Sequence, residues 1–462
     1  MGHRFHPTIL REYDIRGIVG ETLSEADGHA IGRAFAATVK DGGGRRIAVG
    51  YDGRLTSPAL EAALVEGLAC EGGDVVRIGL GPTPMLYYAA ATLGVDGGIM
   101  VTGSHNPPDH NGFKIVLGGK PFFGAAIRRL GEAAAALSPP AGARGRIETR
   151  DIIDDYVRRL AQDYDGRRPL RVAWDIGNGA TGVVVRRLTA LLPGRHTLLN
   201  DAIDGRFPAH HPDPTIPENL VQLQRAVAAE GCDLGIAFDG DGDRIGVVDA
   251  KGRILWGDQL MALLAADVLA ERPGAPIIAD VKASQMLFDE IARLGGEPVM
   301  QATGHSLIKA RMAELKAPLA GEMSGHIFYA DRYYGFDDAV YVAVRLLGIL
   351  GRSERSLTEW RDGLPEMCST PELRFPCDDT RKFAIVEAVR ERLRRDGADV
   401  IAIDGVRVRT ADGWWLLRAS NTQAVLVARA ESRTEAGLAR LRGQLAAALA
   451  ASGVAVPEGA AT

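Results

Sequence analysis

Short apolar runs alternate with helix-period segments along this chain, and the runs repeatedly break into a glycine-bearing polar turn. Arg46–Tyr51, Asp74–Ile78 and Gly98–Thr102 are such runs, and helix candidates at Ala26–Val39, Pro58–Cys70 and Met85–Leu93 precede and separate them. Strands this short, joined by helices, predict a largely parallel sheet covered on both faces. Ligands of such sheets collect beyond the carboxyl ends of the strands. The polar residues at those ends are therefore the ones to examine for chemistry.

At 462 residues the chain exceeds what one hydrophobic core serves, and about 100 to 200 residues per domain gives three or four domains. A Pro- and Gly-rich stretch at 138–146 reads as a linker. Changes of pattern near Trp256 and Pro371 complete a division into 1–150, 151–255, 256–368 and 369–462, the first three α/β and the last α+β. The tail Val456–Thr462 reads as disordered. A formal net charge of -5 argues against nucleic acid as the main partner, because neutralising phosphates needs a basic surface. The four cysteines are scattered without Cys-x-x-Cys spacing, which suggests neither a disulfide framework nor a structural zinc site. Neither a signal peptide nor a bilayer-spanning apolar stretch is evident, so a cytoplasmic protein without a membrane partner is expected.

Within Gly98–Pro107, the strand breaks at Gly103 and presents the hydroxyl of Ser104, while Pro107 and Pro108 keep a helix from starting at once. Ser104 reads as the reactive group; the alternative is a capped turn. Lys114 follows closely enough to share the opening, unless it is simply solvated. Arg16, beside Gly17, could clamp an anion through its guanidinium fork; the alternative is an ordinary surface arginine.

The strand Leu234–Phe238 runs into Asp239-Gly240-Asp241-Gly242-Asp243-Arg244. Carboxylates at alternate positions, with glycines between them, can converge on one small cation. A calcium loop fails on spacing, since its sixth position is Arg244 and its twelfth Ala250. Mg²⁺ fits better, because it accepts a few carboxylates and completes its octahedron with phosphate oxygens or water.

Three strand ends follow in the third segment: Lys282 after Ile277–Val281, Gly304-His305 after Met300–Thr303, and Gly321-Glu322-Met323-Ser324-Gly325-His326 after Pro318–Ala320. A carboxylate, a hydroxyl and an imidazole between glycines suit the hydroxyls of a sugar. In the last segment, Arg418-Ala419-Ser420-Asn421-Thr422 combines a cation with neutral donors and suits a phosphate, although a plain hairpin turn uses the same residues. A rival signal is Gly177-x-Gly179-x-x-Gly182 after a strand, with Asp201 and Asp204 downstream, as a dinucleotide site would want. His210-His211-Pro212-Asp213-Pro214 reads as a rigid surface loop.

Taken together, Thr102–Pro107, Asp239–Arg244, Gly321–His326 and Arg418–Thr422 resemble the four signature loops of the α-D-phosphohexomutase family, in family order and spacing. The likeness extends to Tyr13-Asp14-Ile15-Arg16-Gly17 and to His210–Pro214. It implies an α/β fold of four domains in a heart shape, three related α/β domains with mixed sheets and a C-terminal α+β domain, around a central cleft. It implies an enzyme that is phosphorylated on Ser104 and exchanges hexose 1- and 6-phosphates of mannose or glucose through a hexose 1,6-bisphosphate, acting as a monomer on small hexose phosphates. Asp239, Asp241, Asp243 and Ser104 would hold Mg²⁺. Arg16, Lys114 and His326 would stabilise charge or move protons near Ser104. Tyr13, Arg244, Lys282, His305, Glu322, Ser324, His326, Arg418, Ser420, Asn421 and Thr422 would bind substrate. Met323 speaks against a glucosamine phosphate, which stays the alternative substrate, and a non-catalytic sugar-phosphate binder the alternative class. Gln423-Ala424 departs from the proline the family usually shows, which leaves the stiffness of the phosphate loop open.

Overall fold

The computed structural model describes residues 2–140, 142–421 and 423–454, so Thr422 and the tail Val456–Thr462 lie outside the described residues. Four sheets follow one another along the chain. The first is ordered Ile15–Ile18, His110–Leu117, Gly97–Val101, Arg46–Tyr51, Asp74–Leu80 and Ile147–Thr149, with Lys120–Pro121 paired to His110–Leu117. Its Arg46–Tyr51 and Gly97–Val101 strands are buried along nearly their whole length, which explains their unbroken apolar runs.

The sheet is mixed rather than largely parallel. Gly97–Val101 is parallel to Arg46–Tyr51 but antiparallel to His110–Leu117, the strand that carries Lys114 opposite Met100. Lys114 is thus a strand residue, hidden from pattern reading because Asn111 and Lys114 put polar side chains on a buried strand.

The second and third sheets repeat this plan. Leu234–Phe238 is parallel to Leu170–Asp175 and antiparallel to Ile245–Asp249. Leu319–Gly321 is parallel to Pro276–Asp280 and antiparallel to Ile327–Tyr329. The fourth sheet is antiparallel throughout, and Gly413–Ala419 pairs with Val425–Ser432 in register Ala419 to Leu426. The four polar turns singled out in the sequence are therefore the same structural object: each joins two neighbouring antiparallel strands.

Packing differs between the sheets. One apolar core runs from helix Thr83–Thr92 of the first unit through the second sheet and into the third, where helix Ala339–Arg352 contributes most of its length. The fourth sheet closes its own core with helices Lys382–Arg395 and Glu435–Ala450, the latter started by Thr434, whose hydroxyl accepts from Gly437 N at 3.0 Å. A small patch of Val281, Trp414 and Leu416 joins it to the third. All four cysteines are free thiols, and among the described residues no helix is long and apolar enough to cross a membrane.

Candidate active site

Ser104 sits in the turn between Gly97–Val101 and His110–Leu117 and is itself left-handed, at φ 49°. Gly103 serves another purpose: a Cβ there would lie 2.5 Å from the guanidinium of Arg54 and 2.7 Å from the carbonyl oxygen of His110. The glycine admits the arginine, and the serine carries backbone strain of roughly 1 kcal/mol or more. The surroundings hold that strained turn in place. Arg54, fully buried, donates to the carbonyls of Ser104 at 2.7 Å, Asn106 at 2.5 Å, Pro107 at 2.5 Å and His110 at 2.9 Å. Thr102 Oγ1 accepts from Ser104 N at 2.8 Å and donates to Asp52 Oδ2 at 2.8 Å. Arg16 Nη1 reaches Asn106 Oδ1 at 2.7 Å while its other branch pairs with Asp14.

Ser104 Oγ donates to Asp239 Oδ2 at 2.9 Å and lies 3.1 Å from Nδ1 of His105. The two turns approach closely at Gly240, where a Cβ would lie 2.5 Å from the carbonyl oxygen of Ser104. Asp239 shapes its own turn, because Oδ1 accepts from the backbone N–H of Gly242, Asp243 and Arg244 at 3.0 to 3.2 Å. Asp239, Asp241 and Asp243 are fully buried and bring one carboxylate oxygen each within 4.8 Å of the others. Burial and the other two carboxylates hold Asp239 well above the usual carboxylate range. Asp241 goes the other way, burial being outweighed by Lys114, whose Nζ donates to Asp241 Oδ2 at 2.7 Å and also to Asp243. Burial opposes the ammonium, yet these two acids hold the lysine well above its ordinary pKa. Thr83 Oγ1 also donates to Asp241, at 2.6 Å.

Oδ1 of Asp241 and Oδ1 of Asp243 are buried without a hydrogen-bond partner. Orphaned carboxylate oxygens at this depth are costly unless a cation takes them. An all-oxygen donor set beside the Ser104 hydroxyl fits a hard divalent ion such as Mg²⁺.

His326 connects this cluster to the rest of the site. Its Nε2 accepts from Arg244 Nε at 2.9 Å and its Nδ1 donates to Asp337 Oδ2 at 3.0 Å, a pairing that fits the neutral Nδ1–H tautomer. Asp337 Oδ1 takes Lys309 Nζ at 2.9 Å. The His326 ring stacks on His305 at 5.6 Å, and His305 meets Tyr13 edge-on at 5.8 Å. Burial, with the positive charge of Lys309, keeps His305 well below the ordinary imidazole range; His105 is held there by burial and Arg244.

The remaining expected residues form a second group. Glu322 accepts from Gly304 N at 2.6 Å and from Ser324 Oγ at 3.1 Å. Lys282 reaches across to Glu372 at 3.0 Å. Arg418 Nε donates to Asp404 at 2.8 Å, and Asp404 also accepts from Thr303 N at 3.0 Å. Asn421 Nδ2 donates at 2.7 Å to Tyr13 OH, which donates to Thr303 O at 2.9 Å, so the last turn of the chain touches its first residues. Ser420 Oγ accepts from Gln423 N at 3.2 Å.

Two sequence readings change here. The glycine turn 177–182 is no dinucleotide cradle, because Ala180 N donates to Gly240 O at 2.9 Å and Asn178 N to Asn200 O at 2.8 Å. Its amides are spent on the aspartate turn, on Asn200 just past strand Gly194–Leu199, and on the turn itself, where Gly177 N donates to Asp175 Oδ1 at 3.0 Å and Gly179 N to Ile176 O at 2.9 Å. The His210–Pro214 segment lies under that turn rather than on the surface: Pro212, Asp213 and Pro214 are buried, and His210 Nε2 meets Asp175 Oδ2 at 3.0 Å. Arg54, Thr83, Lys309, Asp337 and Asp404 were not read from the sequence as site residues. A signal existed for Arg54, since Asp52-Gly53-Arg54 stands at the carboxyl end of Arg46–Tyr51.

Sequence models of the phosphoglucomutase/phosphomannomutase alpha/beta/alpha domains I, II and III match residues 7–138, 154–252 and 256–368, and that of the C-terminal domain matches 372–448. The chain is 45% identical over 435 residues to a phosphomannomutase/phosphoglucomutase of Pseudomonas aeruginosa, covering 94% of each. It is 42% identical to a phosphoglucomutase of Neisseria gonorrhoeae, covering 96% of each. A crystal structure of a phosphoglucomutase/phosphomannomutase family protein from Burkholderia thailandensis superposes with a TM-score of 0.92 at 44% identity, over 98% of this chain and 100% of that one.

Proposed function

The chain belongs to the phosphoglucomutase/phosphomannomutase family of α-D-phosphohexomutases, and from that premise we infer that it interconverts hexose 1- and 6-phosphates of glucose and mannose by way of phosphorylated Ser104. The observation that carries this reading is the 2.9 Å hydrogen bond from Ser104 Oγ to Asp239, on a strained turn beside two orphaned carboxylate oxygens. Such a hydroxyl is held in one pose before any substrate arrives.

In this reading the P–O bond to Ser104 breaks as one forms to the free hydroxyl of the sugar phosphate. The departing Ser104 Oγ takes a proton from the Lys114 ammonium, which recovers it when the second phosphoryl returns. The hydroxyl proton passes to Nε2 of His326, which Arg244 occupies in the structure and yields to the sugar, while Asp337 fixes the opposite nitrogen. The hexose 1,6-bisphosphate turns end for end, and its other phosphoryl returns to Ser104. Mg²⁺ held by Ser104, Asp239, Asp241 and Asp243 would supply neutralisation of the phosphoryl charge. Lys114 and Arg16 add positive charge on the same side. Glu322 and Ser324 take O3 and O4, which glucose and mannose share, and Lys282, His305 and Tyr13 line the sugar. Arg418, Ser420, Asn421 and Thr422 hold whichever phosphate is distal. The units 1–150, 151–255, 256–368 and 369–462 each lend one turn to a cytoplasmic monomer that needs no nucleic-acid or membrane partner.

Intact-mass measurement on the purified chain is expected to find one phosphate, absent in Ser104→Ala. Activity of that variant falls by at least about 10⁴-fold. A coupled assay with glucose, mannose and glucosamine 1-phosphates then orders the substrates. An unmodified, fully active Ser104→Ala protein would overturn the reading.

A further inference from the structure

Gln423 closes the turn between Gly413–Ala419 and Val425–Ser432, directly after the residues assigned to the distal phosphate. It is fixed on several sides. Its side-chain oxygen accepts from Arg374 Nη1 at 2.8 Å, and its carbonyl accepts from Lys382 Nζ at 3.0 Å and Val425 N at 2.9 Å. Arg374 stands on Leu373–Pro376, the strand paired with Val425–Ser432, and grips one carboxylate oxygen of Glu372 with Nε at 3.0 Å and Nη2 at 2.8 Å. The other oxygen of Glu372 accepts from Lys282 Nζ at 3.0 Å. Lys282 belongs to the third unit, following Pro276–Asp280, and is buried. An unbroken run of polar contacts thus leads from the phosphate turn of one unit to the sugar-side lysine of another.

We propose that Gln423, Arg374 and Glu372 are positioning residues that couple the phosphate-binding turn to Lys282, so that the distal phosphate and the sugar are located by one linked unit. A lysine ammonium is a point charge on a flexible stem, with no direction of its own. Glu372 supplies the direction, and its own position is set by Arg374. The carboxyl of Glu372 is held down at about 2, first by Lys282 and then by Arg374, so it stays an anion throughout the working pH range. Arg374 is more than half exposed, and its pair with Glu372 adds little to stability. Its role is geometric: it spans from the turn to the buried carboxylate. The coupling rests on the mutase reading, which assigns the two ends of the run to phosphate and sugar.

Steady-state kinetics with glucose 1-phosphate on the full chain test it. Gln423→Leu is expected to raise KM about threefold to tenfold with kcat changed less than about twofold. Arg374→Met gives the same rise, and the pair together gives no more than either alone. In a Lys282→Met background, Gln423→Leu raises KM by less than about twofold. Gln423→Glu, which places a carboxylate opposite Arg374, returns KM to the wild-type value. Equal KM changes in both backgrounds, or no KM change in Gln423→Leu, overturn the coupling. A wild-type chain without mutase activity overturns the reading beneath it instead, so the two failures are separable.

Discussion

The two halves of the site are built differently. Around Ser104 and the three aspartates, the first and second units share one apolar core, and the buried cations and hydroxyls above it are held by several bonds each, Arg54 to four carbonyls, Lys114 to two carboxylates and Thr102 to a serine amide, while Oδ1 of Asp241 and of Asp243 stay unpaired. Around Glu322, Lys282 and Arg418, the contacts cross from the third unit to a fourth with a separate core, and the substrate-assigned Lys282 and Arg418 each rest on a carboxylate, Glu372 and Asp404, while Asn421 rests on Tyr13. The difference teaches where rigidity is placed. The reacting half is preorganised for charge that develops in the transition state. The recognition half holds its groups in provisional pairs, which a sugar phosphate must replace or join.

Lys114→Met tests that contrast with the largest effect. It leaves the buried carboxylates of Asp241 and Asp243 without their cation, which is expected to destabilise the metal-free chain by about 3 kcal/mol and to lower kcat by about 10³-fold. Added Mg²⁺ should recover much of the thermal midpoint but little of kcat. A loss of kcat below tenfold would mean that the reacting half tolerates slack, and the contrast would fail.

Arg418→Lys probes the other half and should act on binding. Arg418 spends Nε on Asp404, and its Nη groups carry the planar fork that matches phosphate. Lysine keeps the charge and loses the fork, so KM should rise about tenfold to a hundredfold with kcat within about threefold. A fall in kcat as large as that of Lys114→Met would erase the distinction between the halves.

What could be read from the sequence follows the same division. Ser104 and Asp239–Asp243 stand out because each set is contiguous, and contiguity survives without a fold. The four turns were legible as turns, yet not as hairpins of one repeated plan, because the returning strand of the first, His110–Leu117, hides buried polar residues. Gly103 was legible as the break, but its reason was not: it makes room for Arg54, forty-nine positions away, and passes the unusual backbone to Ser104. Asp337 and Asp404 gain meaning only from His326 and Arg418, which lie 11 and 14 positions away and meet them through the pairing of successive strands that the pattern did not register. The glycines at 177, 179 and 182 show the reverse error, where local spacing fits a motif but Gly240 takes an amide of the turn.

The smallest effect on catalysis is expected at the seam between the halves. Asp338 starts helix Ala339–Arg352 by accepting from Tyr341 N at 3.0 Å, and it takes the hydroxyls of Tyr156 and Tyr333 at 2.8 Å each. The next residue, Ala339, donates its N–H to Gly242 of the aspartate turn at 3.3 Å. Burial pushes the Asp338 carboxyl up to about 6, against those three donors, which favour the anion. An acid raised in the folded state binds its proton more tightly there than when unfolded, so its contribution to stability falls as pH rises from about 4 to about 6 and stays lost above that window. Two pKa units correspond to about 3 kcal/mol. Asp338→Asn removes this slope while forfeiting some of the hydrogen bonds, a cost that does not vary with pH. The thermal midpoint of the variant, relative to wild type, should therefore climb between pH 4 and pH 6 and level off by about pH 7, with kcat changed less than about threefold. A difference that stays flat or falls over that interval would show that Asp338 is ionised at no cost, and the seam would then be as firmly preorganised as the reacting half.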